Sequence, residues 1–498
     1  MVSFNNIPNA LRVPLFFVEV DNSKANTASE IQRTLIIGQM MDSATIAPNV
    51  PVKVSSVSNV AGMCGQGSMI HTMFAHYMAN DTMGETWILP LADDQTGMLQ
   101  ATGAITIDTT PSEAGVVSLY IAGVRIQLTV RNTYTKEEIA TDLVAKINAN
   151  ASLPVTAAVD GTDGSKINLS AKNWGVCGNQ IDLRLNYLGL AGGESMPQGM
   201  MMTITPMSGG QGAPDLTEGL SNLQDRAFDF IINPYTDTTS LNDLKDFLSD
   251  KNGRWAWDKQ LYGHAFSVAS GTYGEVSAVG EARNNPHETI WGVQRSLHPN
   301  YDLAAAFVGA IAQAIRNDPG RPTQTLKVTG ILPPALEDRF NLPERNNLLF
   351  SGISTFVVAD DDTVQMENTI TTYQYNSFGA ADDSYLQVET LYLLMYVNRF
   401  MRTQVTSKFP RMKLAADGTR FGAGQAIVTP AIIKAELIAQ YRTLEFGGYV
   451  QDSRSFAQNI IVEKDSQNPN RVNVIWPGTL INQLRIFAVL NQFRLIAE

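Results

Sequence analysis

NNLLFSGISTFVVADDDTVQMENTITTYQYNS (346–377) and its continuation FGAADDSYLQVETLYLLMYVNRFMR (378–402) decide how this chain is read. β-Branched and aromatic residues collect on two runs, Ile353 to Val358 and Val364 to Tyr375, separated by Asp360, Asp361 and Asp362. Two such runs around a polar turn predict a hairpin. Ser384 with Gln387 three residues on has the spacing of a capping box, which predicts a helix starting there. From Leu391 to Val397 that helix is apolar on every side, as a central helix is. Glu344 to Lys408 therefore reads as strand, turn, strand, acidic turn and one long buried helix.

On the C-terminal side, Thr429 as N-cap, Pro430 at the first helical position and Gly447 past the end delimit a helix from Pro430 to Phe446. Lys434, Arg442 and Glu445 share its outward stripe, opposite Ile433, Leu437 and Tyr441. RVNVIW (471–476) and INQLRIFAVLNQFRLIAE (481–498) alternate as strands do. In the second, Leu484, Ile486, Ala488 and Leu490 fall on one face of a strand that has no sheet nearby in sequence.

On the N-terminal side the pattern alternates. Strand Thr34 to Gly38, helix Ser68 to Ala79 and strand Thr86 to Leu91 come first. After Pro214 follow strand Phe228 to Asn233, helix Ser240 to Ser249, strands His264 to Ala269 and Thr289 to Val293, and helix Asp302 to Arg316. Leu303, Phe307, Ile311 and Ile315 recur every fourth residue on that last helix, so one face is buried. Alternating strands and helices predict an α/β layer architecture. Between the two halves, Asp93 to Gly212 changes to Gly-, Thr- and Asn-rich alternating strands, interrupted by one helix that a Thr135–Glu138 capping box opens. This is a β-rich insertion, and the composition breaks at its borders predict that few contacts cross them. At the start of the chain, Pro8 and Pro14 precede or flank a short apolar strand with Phe16, Phe17, Val18 and Val20, again without a sheet of its own.

The fold class is thus α/β (α+β) and multidomain. An extended N-terminal arm (1–30) precedes the first part of an α/β domain (31–92), and a β-rich insertion (93–212) interrupts it. The α/β domain continues (213–343), followed by a C-terminal domain (344–478) and a C-terminal strand or arm (479–498). A chain of 498 residues carries more than one core. With 44% hydrophobic and 17% charged residues it is globular, not disordered.

A net charge of −12 without a marked cluster of Lys and Arg argues against nucleic acid as a partner. No stretch approaches the roughly 20 apolar residues of a membrane helix, and no secretory leader opens the chain. Cys64 and Cys177 fall in different predicted domains and read as thiols. His71 and His76 are five residues apart with no zinc-binding spacing. GMCGQGS (62–68) lacks the Lys-Ser/Thr of a phosphate loop, and Asp360 to Asp362 lack the spacing of a calcium loop. Asp382 and Asp383 are placed by the predicted helix start, where the macrodipole favours negative charge. No catalytic, cofactor or metal constellation emerges, so an enzyme is not expected. The rival from another class, a soluble α/β enzyme with a β-rich accessory domain, would run as a monodisperse monomer and turn over a small substrate.

Terminal strands that need foreign sheets imply heterologous contacts between copies, and such contacts that do not close give a helical filament. ERNNLLFSGI (344–353), VQMENTITTYQYNSFGAADDSYLQVETLYLLMYVNRFMR (364–402) and IPNALRVPLFFVEVDNSKANTASEIQRTLIIGQM (7–40) together resemble the contractile tail sheath proteins of bacteriophages, in their Mu-like branch. The resemblance covers nearly the whole chain and is weakest over the insertion. It implies a structural subunit that stacks as hexameric rings around a tail tube in a metastable extended state. Contraction then drives the tube through the bacterial envelope for genome ejection. Implied partners are further copies of itself, the tail tube protein, and the baseplate and tail terminator proteins, with no nucleic acid, membrane insertion or cofactor. The implied location is the virion, after assembly in the host cytoplasm. The sheath of a contractile bacteriocin or of another injection machine fits the same residues. The resemblance also implies that both terminal arms meet one sheet of a neighbouring subunit; here the hairpin within Glu344 to Lys408 is the expected acceptor, Lys434, Arg442 and Glu445 are expected to face the tube, and the insertion to face outward.

Overall fold

The computed structural model describes residues 31–495. The strand expected over Phe16, Phe17, Val18 and Val20 lies outside the described residues. The chain divides into two compact units, one formed by Gln32–Met395 with Leu480–Glu498 and the other containing Tyr396–Thr479.

The larger unit is built on a six-stranded sheet in the order Glu288–Val293, His264–Ser270, Phe230–Ile232, Arg33–Gln39, Glu85–Leu91, Val52–Val54. The first five are parallel and the last is antiparallel. Leu35 sits opposite Ile231 on one side and Trp87 on the other. Strands buried on both faces are apolar in near-continuous runs, which is why LIIG, FII and TIWGV were legible as strands.

Helices Met69–Met78 and Asn300–Asn317 pack together over this sheet. The stripe Leu303, Phe307, Ile311 and Ile315 is buried. Gly309 lets the two helices close up, because a Cβ there would stand 2.7 Å from the Tyr77 carbonyl oxygen. At the end of this layer the Arg316 guanidinium pairs with the fully buried Asp81 carboxylate. It also donates to Thr34 Oγ1 at 2.8 Å and to the Gln32 carbonyl at 3.2 Å, and Tyr77 OH donates to Asp81.

Asp302, in the first turn of Asn300–Asn317, is also buried, and its Oδ1 has no hydrogen-bond partner. Desolvation pushes its carboxyl up to about 6, against a smaller opposing pull from His76. A carboxyl whose folded pKa is raised contributes stability that is complete below the unfolded value near 4 and is lost as pH rises through about 6. Asp302→Asn removes that loss. The variant is expected to gain about 3 kcal/mol on the natural chain between pH 4 and pH 8, read from urea midpoints at the two pH values.

The insertion has a core of its own. A four-stranded antiparallel sheet, in the order Met201–Ser208, Thr102–Thr109, Lys166–Ala171, Val155–Val159, accompanies a three-stranded one, Val124–Val130, Gly115–Ile121, Leu183–Leu185. Helix Lys136–Ala149 starts with the predicted Thr135–Glu138 capping box and buries Ile139, Leu143 and Ile147. The expectation of few crossing contacts fails. The Asn173 side chain accepts from Met69 N at 2.7 Å and donates to Met40 O at 3.0 Å. Gln39 donates to Trp174 O at 2.8 Å. Cys177, assigned by sequence to the insertion, packs in the main core together with Cys64. Both are buried thiols, pushed up to about 12 by desolvation. Short polar side chains in a Gly- and Asn-rich loop can satisfy backbone groups of another domain, and composition does not reveal where such a loop docks.

The stretch that opened the reading folds as a hairpin, Thr355–Val358 with Val364–Asn368, around a turn in which Asp362 takes φ 58°. Its second strand stops at Asn368, short of Tyr375. One edge is filled over two residues, while the outer edge of Thr355–Val358 has no ladder partner among the described residues. Lys327–Val328 pairs with Val364–Asn368, and Ser354 exchanges backbone bonds with Ile290 and Gly292.

A helix missed by the reading, Leu342–Phe350, precedes the hairpin behind an Asn341–Glu344 capping box. The long helix runs Val388–Lys408, so Ser384 is not its N-cap. Residues 381–387 instead lie alongside 370–375, through bridges Tyr375–Ala381 and Ile370–Gln387, which delays the helix. Asp382 thereby caps Ser384 N at 2.9 Å and accepts from Tyr373 OH at 2.7 Å, ahead of any helix dipole. Val388, Leu391, Tyr392, Leu393 and Met395 are buried, with Tyr392 stacked on Phe230, but Val405 to Lys408 are exposed. The helix is central only in its first half.

Candidate assembly site

Among the described residues no group of His, Cys, Asp and Glu could hold a metal ion, and no helix is long and apolar enough to cross a membrane. The histidines are built into the fold: His264 Nε2 lies 2.8 Å from Thr289 Oγ1, and His71 Nδ1 accepts from Gly67 N at 3.1 Å. What the molecule presents are segments that leave pairing capacity unused.

In the smaller unit, helix Pro430–Phe446 begins and ends where its punctuation predicts, with Thr429 accepting from Ile432 N and Gly447 at the C-cap. It buries Leu437, Tyr441 and Leu444. Tyr441 stacks on Phe456 at 3.8 Å, and Trp476 closes on both rings at 5.4 and 5.3 Å. Tyr441 OH also donates to Gln451 O at 2.6 Å. This cluster seats a hairpin, Ile461–Lys464 with Val472–Ile475, in the register Ile461 opposite Ile475 and Val462 opposite Val474.

The hairpin's turn is held by Asp465, which accepts from Asn468 N at 2.8 Å, Asn473 Nδ2 at 2.9 Å and Gln467 N at 2.9 Å. Those bonds hold its carboxyl down at about 2. Among the described residues the sheet has two strands, and Ile461, Val474 and Ile475 are exposed. A two-stranded ribbon is marginal alone, and both of its outer edges are templates for a further strand.

Of the residues expected on the tube side, Arg442 is exposed while Lys434 and Glu445 are half-buried. Glu445 accepts from Ser453 N at 2.8 Å and so caps the next helix, Ser453–Asn459. Its role is at least partly local. The sequence reading passed over Arg402, Lys408, Arg411, Lys413 and Arg420, exposed cations accompanied between 396 and 425 only by Asp417. Counting charge in windows of the sequence would have found them.

The C-terminal segment, returning to the larger unit, forms no strand between 481 and 494. The expected strand over Leu484, Ile486, Ala488 and Leu490 is therefore absent within one copy. Its side chains are apolar and uncovered: Ile486 is 83% exposed, Phe487 82%, Leu490 85% and Phe493 78%. Among the described residues this β-sequence pairs with no strand.

An uncovered apolar segment and a hairpin that is two-stranded among the described residues are the features a strand-addition contact uses. Two family descriptions match the sequence, the phage tail sheath protein central domain over residues 209–372 and the phage tail sheath C-terminal domain over residues 380–494. The Mu-like prophage FluMu tail sheath protein of Haemophilus influenzae is 41% identical over 494 residues, 99% of this chain and 99% of that protein. The chain belongs to the phage tail sheath family and is a structural protein of a phage tail, not an enzyme. Solved structures similar to it include the sheath tail proteins of Desulfitobacterium hafniense (13% identity, 95% of this chain and 97% of that chain, TM-score 0.47) and Listeria innocua (13%, 91% and 92%, TM-score 0.48).

Proposed function

We propose that the chain polymerises as stacked hexameric rings around a tail tube, in a metastable extended state, and contracts to drive the tube through the bacterial envelope for genome ejection. Copies are linked by strand exchange, in which the C-terminal strand of one subunit, and the N-terminal strand with Phe16 to Val20 of another, add to the hairpin Ile461–Lys464 and Val472–Ile475 of a third. The observation that carries this is the coexistence of an uncovered apolar C-terminal segment with a hairpin that, among the described residues, is unpaired on both edges. Backbone pairing is indifferent to how the subunit bodies are turned, so the link can survive a large rotation. The further partners are the tail tube, baseplate and tail terminator proteins, met in the host cytoplasm during assembly. Negative-stain microscopy of the purified protein tests the reading: hollow tubes are expected, and a monodisperse monomer under all conditions overturns it.

Two placements belong to the same proposal. The insertion faces outward, so a small folded tag inserted in the exposed turn Asp160–Ser165 is expected to leave tubes unchanged, as exposed turns accept insertions. A folded subunit that no longer assembles would contradict this. Helix Pro430–Phe446 faces the tube with Lys434 and Arg442. Reversing both charges is expected to lower assembly on the tube, by tenfold or more at low salt, and to spare self-association. Equal tail yield from both proteins removes that placement.

A further inference from the structure

The C-terminal segment is not free along its whole length. At Arg485 the side chain turns back into its own subunit. Nη2 lies 2.5 Å from Glu389 Oε2 and donates to Gln387 Oε1 at 2.8 Å. Glu389 is fully buried in the first turn of the long helix Val388–Lys408, where the helix dipole favours a carboxylate. Its other oxygen accepts from Thr323 N and Thr323 Oγ1, both at 2.7 Å. One residue earlier, the Leu484 carbonyl accepts from Gln324 Nε2 at 3.2 Å. The Leu484 side chain is itself 68% exposed, so it is through its carbonyl that this residue is held, while Ile486, Phe487, Val489 and Leu490 are each at least 70% exposed.

We infer that Arg485, locked to the buried carboxylate of Glu389, is the root of the exchanged strand, so that only residues from Ile486 onward pair with a second copy while Leu484 and Arg485 stay with their own subunit. This rests on the strand-exchange reading above and deepens it. A buried ion pair holds only while both partners stay, since removing one leaves the other charged and desolvated. The pair transmits pull on the exchanged strand into the N-terminus of the long helix. Leu484 is thereby removed from the donor set, and Ile486, Ala488 and Leu490 remain in it.

Limited trypsin digestion of the full-length subunit, before assembly, tests the root independently of the lattice. In the natural chain the bond after Arg485 is expected to be cut at least tenfold more slowly than the bond after the exposed Arg494. Glu389→Gln keeps the shape, removes the charge and is expected to abolish that difference. Arg485→Lys retains both the positive charge and the trypsin site but lacks the second N–H for Gln387, and is expected to fall between. Equal cutting after Arg485 and Arg494 in the natural chain, or unchanged protection in a folded Glu389→Gln or Arg485→Lys protein, overturns the root. In assembled tubes the Glu389→Gln protein is expected to polymerise but to fragment on contraction. Tubes that contract intact overturn the transmission of pull through the pair. Tubes formed by a chain lacking 486–498 overturn strand exchange itself and leave the digestion result standing.

Discussion

A chain ending at Arg485 is expected to fold with an unchanged unfolding midpoint and to form no tubes. Of the segment it lacks, residues 486–495 bury almost nothing in their own subunit, so the loss costs the fold little. In the lattice the same residues would cover Ile486, Phe487, Val489, Leu490 and Phe493. Each such side chain is worth about 1.5–3 kcal/mol when taken from water, before the entropy of ordering the strand is subtracted. Removing five of them takes away more than a subunit contact can lose and still persist. Sedimentation of the truncated and full chains at equal concentration measures this, with a species of monomer size expected for the first and rapidly pelleting tubes for the second. Tubes of normal length from the truncated chain would mean that side-chain contacts between subunit bodies hold the lattice. Pro at Ile486 is expected to act in the same direction, because it removes a ladder donor from the first exchanged residue.

The second large effect is on folding itself. Arg316→Met is expected to lower stability by about 3–5 kcal/mol, because it strands the Asp81 carboxylate, buried against Tyr77, without its cation. Thr34 Oγ1 and the Gln32 carbonyl lose their donor in the same step. Arg316 joins the helix Asn300–Asn317 to the first strand of the central sheet, so the loss reaches the whole larger unit. Chemical denaturation followed by tryptophan fluorescence reads it directly, since Trp87 and Trp291 lie in that sheet. A midpoint within 1 kcal/mol of the natural protein would show that the pair merely balances its own desolvation. Replacing Asp81 and Arg316 together by Asn and Met is expected to recover part of the loss, because no lone charge remains.

The central strands and the two long helices were legible because their signals are local. LIIG, FII and TIWGV are apolar runs that only a strand buried on both sides needs, and Leu303 to Ile315 repeats every fourth residue. Thr429, Pro430 and Gly447 marked one helix, and Thr135 with Glu138 another, through bonds that span four residues or fewer. Ser384 and Gln387 had the same spacing and misled, because chain 370–375 offers residues 381–387 a bridge partner before the helix can begin. The family, too, was readable from the order of residues around 344–402 and 7–40.

Long-range pairing was not legible. Nothing in Asn173 or Cys177 announces that they leave the insertion to satisfy Met69 and to join the main core. Nothing in the hairpin 355–368 announces that Lys327–Val328 pairs along Val364–Asn368 or that Ser354 bonds to Ile290 and Gly292. The sequence by itself determined which segments are strands and helices and that the ends of the chain are apolar, since those properties depend on neighbours a few residues away. Only the tertiary structure decided which edges stay open and that Arg485 is held by Glu389, because whether a backbone group or a charge is satisfied depends on what the fold brings beside it.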